Sequence, residues 1–135
     1  MTDDLIAFVR ARLADDEQTA RAAIASGERW RAEPTGPAAG DASASESVAA
    51  RYMARWSPAR VLHDVEVTRA QVDLCVQWLG DARTEAAMEL AAQADVFLRL
   101  IAHRWHRHPD YRAADWPPAR GFVQEPPEEP GDLRI

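Results

Sequence analysis

Hydrophobic positions recur along this chain at helical spacing, and nowhere do they alternate over the length of a strand. In MTDDLIAFVRARLADDEQTARAAIASG, Leu5, Ile6, Val9, Leu13, Ala20 and Ile24 put one apolar stripe on a first helix. Thr2 is placed to cap it, and Asp3 and Asp4 complement the positive end of its dipole. Ser26 and Gly27 are placed to end it. Asp16 interrupts the stripe, and the pattern gives no reason for it. Residues 26–46 then lose all periodicity. Glycine, proline, serine and alanine dominate there, which predicts a flexible linker, with Trp30 as its one large side chain.

Periodicity returns with a short helix expected over about 47–56, where Val48, Tyr52 and Trp56 share a face. Ser57-Pro58 reads as an N-cap followed by proline at the first helical position, so a new helix starts there and the chain bends. This third helix, about 58–79, carries a heptad-like seam of Val61, Val65, Thr68, Val72, Cys75 and Leu79. Val67, Leu74 and Trp78 form a second stripe, roughly opposite the first. Gly80 is a natural stop, and Asp81 or Thr84 suits the cap of a fourth helix running to about Arg107. Its stripe is Ala87, Leu90, Ala91, Ala94, Phe97, Leu98, Ile101 and Trp105, and Pro109 closes it. From Trp116 onward, WPPARGFVQEPPEEPGDLRI is rich in proline and acid and reads as extended. The predicted fold class is all-α: three long helices and one short one in a bundle. The domain is expected over 1–116, with the flexible linker inside it and a Pro-rich tail over 117–135.

Composition narrows the function classes. A chain of 135 residues suits one domain with its own core. The net charge of -6 argues against a general nucleic-acid surface. Every basic residue is arginine, which reflects coding bias rather than chemistry. Cys75 is the single cysteine and falls in the seam, so it reads as a core residue rather than a nucleophile or zinc ligand. The acidic N-terminus lacks the basic start of a signal peptide, and no apolar run is long enough to cross a bilayer. A cytoplasmic protein is expected.

The one concentration of chemistry is AHRWHRHPDY, residues 102–111, with three of the four histidines. His103 and His106 are three apart and are weak metal candidates; a helix sets both toward solvent, beside arginines rather than further ligands. Arg99, Arg104, Arg107 and Arg112, with Trp105 and Tyr111 as stacking groups, are weak candidates for phosphate or nucleic acid. The wheel places Trp105 in the core, against that reading. The bland alternative is a helix end whose basic residues suit the dipole, with His108 covering the terminus. Asp15, Asp16 and Glu17 read as a solvated face. No motif of a nucleotide site, metalloprotease or catalytic triad is present, so neither catalysis nor a cofactor is expected.

Three blocks, DDLIAFVRARLADDEQTARAA at 3–23, ARWSPARVLHDVEVTRAQVD at 54–73 and LRLIAHRWHRHPDYRAADW at 98–116, resemble a family of small uncharacterised proteins of actinobacteria and their phages. The resemblance brings no activity, cofactor or catalytic residue. This chain departs from the family's pattern at Trp56 and Ser57, where histidine and aspartate are usual. It also has Arg104 where many members have a proline that ends the helix. It lacks the longer insert, opening on paired tryptophans, that often precedes the second block.

The expected function is therefore interaction. Val67, Leu74 and Trp78 are too apolar to leave in water, which predicts a homodimer or another protein partner at that stripe. In a monomer the first and fourth helices would have to cover it.

Overall fold

The computed structural model describes residues 2–26, 48, 51, 52, 55–81, 83–119 and 121. Among the described residues the secondary structure is helical, with no strand: α1 is Thr2–Ala25, α2 is Pro58–Gly80 and α3 is Glu85–Ala102. These are the expected first, third and fourth helices, and the all-α class is as the periodicity indicates. The expected linker lies almost wholly outside the described residues, as do Trp30 and the tail from 122. The short helix is described only in part: Val48, Arg51, Tyr52 and Arg55 are helical, and Tyr52 and Trp56 approach each other at 6.4 Å between ring centroids.

Local chemistry sets the helix ends. Ser57 caps α2, its hydroxyl accepting from the Arg60 N–H at 3.3 Å, and Pro58 takes the first turn, where its missing N–H is no loss. Thr84 caps α3, accepting from the Ala87 N–H at 3.1 Å, which decides between the two expected caps. At the end of α1 the Ser26 hydroxyl donates to the Ala23 carbonyl at 2.8 Å.

Both α1 and α3 pack extensively on α2, and less on each other, so α2 is central. Paired charges show the directions. Arg10 pairs with Asp73 and Glu17 with Arg69, so α1 and α2 run antiparallel. The short connection after Gly80 turns α3 back along α2, and the Arg104 guanidinium reaches the Thr68 hydroxyl at 3.2 Å. The core is the three inner stripes meeting: Leu5, Val9 and Leu13 from α1, Val65, Thr68, Val72 and Cys75 from α2, and Ala94, Leu98 and Ile101 from α3. Burial pushes the Cys75 thiol pKa up, as suits an inert core residue. Ile24 departs from the expected stripe and is exposed, because α1 there has passed the buried length of the bundle.

Two expectations about the C-terminal region change. The fourth helix does not reach Arg107: it ends at Ala102, and His103–Trp105 form a single 3-10 turn followed by further turns. Trp116 does not begin an extended tail. It is 5% exposed and belongs to the core. The turns after Trp105 fold back across α1, and Trp116 meets the Phe8 ring at 5.1 Å, with Tyr111 at 5.9 Å from Phe8. The Tyr111 hydroxyl donates to the Trp116 carbonyl at 2.9 Å and fixes this return.

Candidate interaction face and the basic turn

The outer stripe of α2 stays largely uncovered. Val67 and Leu74 are each 44% exposed. Trp78 is half-buried and packs on the edge of the core, so neighbouring helices cover it only in part. Helix α3 carries exposed apolar residues of its own, Leu90 at 44% and Phe97 at 51%.

Helical geometry puts the two sets side by side. On α2, α1 occupies the flank bearing Arg69 and Asp73, and at 100° per residue the outer stripe lies beyond the other flank, next to α3. On α3, the flank toward α1 carries Asp95 and Arg99, which line a cleft with Thr2, Asp4 and Leu5. Leu90 and Phe97 lie on the opposite flank, next to α2. Both rows therefore open on one side of the α2–α3 hairpin, away from α1. Counting equal numbers of residues outward from the short connection pairs Trp78 with Ala86, Leu74 with Leu90, Gln71 with Gln93 and Val67 with Phe97. The row on α2 is spaced four, three, four (67, 71, 74, 78). That on α3 is spaced four, three, four, three (86, 90, 93, 97, 100). Each is a second heptad seam, one position before the inner one and so about 100° around the helix from it. All nine positions are uncharged.

Val67, Leu74 and Trp78 are an outer stripe as the periodicity predicts, whereas Leu90 and Phe97, expected in the inner stripe of the fourth helix, are exposed. The signal was available: α3 carries two interleaved seams, 87-91-94-98-101 and 86-90-93-97-100, and only one can face the bundle.

The basic turn is held by structure rather than left free. The His103 and His106 rings stack at 4.8 Å between centroids and 18° between planes. Stacked rings aim their nitrogens alongside one another, which does not converge on a metal. The His106 Nδ1 also lies 3.0 Å from the His103 carbonyl, and the His103 Nδ1 lies 3.5 Å from the Tyr111 hydroxyl. Burial, then the neighbouring His106, lowers the His103 pKa. Because the α-helix ends before them, these histidines do not share the solvent face of a fourth helix as expected. Among the described residues no three His, Cys, Asp or Glu side chains gather as a metal site would need.

Of the four arginines, Arg99 bonds Asp95 at 2.9 Å and Arg112 bonds Asp4 at 3.3 Å while lying over the Trp116 ring. Both line the same cleft, of about 300 Å³, which Asp4, Asp95 and Asp115 share. Arg104 turns to Thr68 instead, and Arg107 is exposed. The arrangement brings two of the four together, and there aspartates outnumber them.

His108 covers α1 rather than a helix terminus. Its ring meets Phe8 at 6.0 Å and abuts the Arg12 guanidinium, and its Nδ1 accepts from the Asp110 N–H at 3.1 Å. The Arg12 side chain is only 13% exposed, pairs with Asp15 at 3.1 Å and lies over Phe8. Its Nε is buried without a partner.

The acids of α1 are likewise structural. Glu17 bonds Arg69 and Arg21, which hold its carboxyl pKa below the usual value. Asp16, the interruption in the first stripe, sits half-buried. Desolvation raises its pKa, opposed by a hydrogen bond from the Trp105 side chain and by Arg12 and Arg104. The sequence could not explain Asp16 because its partner is 89 residues away.

A family model described as "Family of unknown function (DUF6221)" matches residues 2–118, and the chain belongs to that family. No curated protein and no solved structure matches it. The matched span takes in all three helices and the C-terminal return to Trp116.

Proposed function

We propose that this member of the family of unknown function DUF6221 works by protein–protein association through the outer face of the α2–α3 hairpin, without catalysis. One observation carries the reading: a second heptad seam on each of two adjacent helices, uncharged along its length and exposed at every position but Trp78 and Leu100, which are half-buried. A three-helix bundle needs only the inner seams to bury its core. Val67, Leu74, Leu90 and Phe97 on one contiguous side make an apolar patch of the kind that marks interaction surfaces. Support for a non-catalytic role comes from the clefts, whose charged groups are mostly paired with one another. Among the described residues no helix is long and apolar enough to cross a membrane. The resemblance of its three blocks to small proteins of actinobacteria and their phages supports placing it in the cytoplasm of such a cell.

The buried Cys75 makes this testable, because a thiol introduced at the surface reports alone. Leu74→Cys and Phe97→Cys thiols should be protected from maleimide in extracts of the native host and react freely in dilute purified protein. Met88→Cys, exposed on the other flank of α3, is the control. Reaction of all three at equal rates in the extract would dismiss the reading.

A further inference from the structure

The face has a polar centre and oppositely charged ends, and these specify a partner. Gln71 and Gln93, paired by the count from the connection, fall in the middle of the two outer seams, with Leu74 and Leu90 on one side and Val67 and Phe97 on the other. A polar residue at one seam position weakens packing but fixes register, since it is satisfied only when it meets another polar group. Toward the helix connection the exposed charges are Asp81, Glu85 and Glu89, with Arg83 against them, which sums to three negative and one positive, or -2. Toward the other end they are Arg60 and Arg107, with the half-exposed Asp64 against them, which sums to two positive and one negative, or +1; Arg104 is turned inward to Thr68.

We propose that the partner on this face is a second copy of the chain, reversed about the glutamine level, so that α2 lies antiparallel on α2 and α3 antiparallel on α3. This rests on the association reading above and adds the identity and direction of the partner. In this arrangement Gln71 meets its own copy and Gln93 meets its own copy. The layer of Leu74 and Leu90 falls on the layer of Val67 and Phe97, and each basic end faces the partner's acidic end. The other two-fold arrangement, with the axis along the helices, would set α2 on α3 at equal levels. It would bring like ends together, -2 on -2 and +1 on +1, and is disfavoured for that reason. The resulting four-helix layer adds two antiparallel pairs to the existing bundle, and its footprint is a strip of roughly 20 Å by 20 Å. Such a strip, with its charged rims, suits a modest reversible dimer rather than an obligate one.

The test uses the full chain carrying Gln71→Cys or Gln93→Cys, treated with a short bismaleimide at a concentration where the wild type associates. Each variant alone is expected to cross-link to itself in high yield, and 0.5 M salt should lower that yield by screening the ends. If neither variant cross-links alone but an equimolar mixture does, the copies run the other way and the antiparallel arrangement is overturned. If no combination cross-links, the second copy is not the partner. The thiol-protection experiment then still decides whether the face binds another protein.

Discussion

Replacing Trp116 by alanine tests the C-terminal return most sharply. The side chain is 5% exposed and packs on Phe8 and Tyr111. A tryptophan buries on the order of 200 Å², which at about 25 cal/mol per Å² amounts to about 5 kcal/mol. Residual compactness of the unfolded chain trims this by roughly a third, to about 3 kcal/mol. Loss of the ring also leaves Phe8 facing a void, which places the cost at about 3–4 kcal/mol, within the range for large-to-small core changes. Urea denaturation followed by circular dichroism at 222 nm, at one fixed protein concentration, measures it. With a slope of about 2 kcal/mol per M, the midpoint should fall by roughly 1.5–2 M. Trp116→Phe, which keeps the contact with Phe8, should lose less than half as much. A fall below roughly 0.3 M for the alanine variant would show that residues 103–119 do not complete the core and would refute the reasoning.

Other consequences are equally direct. Asp16 has a folded pKa above its ordinary value of 3.8, so its contribution to stability is present at low pH and lost as pH rises through the folded pKa. Asp16→Asn removes that loss, and its melting temperature relative to wild type should climb as pH rises above 3.8; a flat difference would contradict the buried placement. Glu17 has the opposite sign: Arg69 and Arg21 depress its pKa below 4.5, so the benefit is present near neutrality and lost on acidification. The advantage of wild type over Glu17→Gln should therefore shrink as pH falls below 4.5, and 0.5 M salt should reduce it at pH 7. Ser57→Ala and Thr84→Ala each remove a cap and should cost about 1 kcal/mol in the same urea titration.

The sequence made the helices legible because their inner seams repeat without a break: Val61 through Leu79 on α2 and Ala87 through Ile101 on α3 both turn inward. The caps were legible because Ser57-Pro58 and Thr84 act within one turn. What it hid depends on distant partners. Trp116 sits in a run of prolines that reads as extended, yet it is drawn into the core by Phe8, 108 residues earlier. The end of α3 is not legible in the sequence because the basic residues 103–107 suit a helix terminus, while contacts of His108 and Tyr111 with α1 turn the chain before that terminus is reached. Half of the candidate face was visible as the stripe Val67, Leu74 and Trp78. The other half was hidden because Leu90 and Phe97 sit one position from core residues, and periodicity alone merges the two seams of α3 into one wide stripe.

The central claim is that the outer face of the hairpin is buried against a second copy, and the mass of the chain in solution tests it most directly. Light scattering on the wild type at tens of micromolar should give roughly 30 kDa, twice the 15.0 kDa of the chain, falling on dilution. Leu74→Asp/Phe97→Asp, altered only at exposed positions, should keep its helical spectrum and stay at 15.0 kDa throughout. A wild type that holds 15.0 kDa at every concentration, or a double variant that associates as the wild type does, would contradict the account.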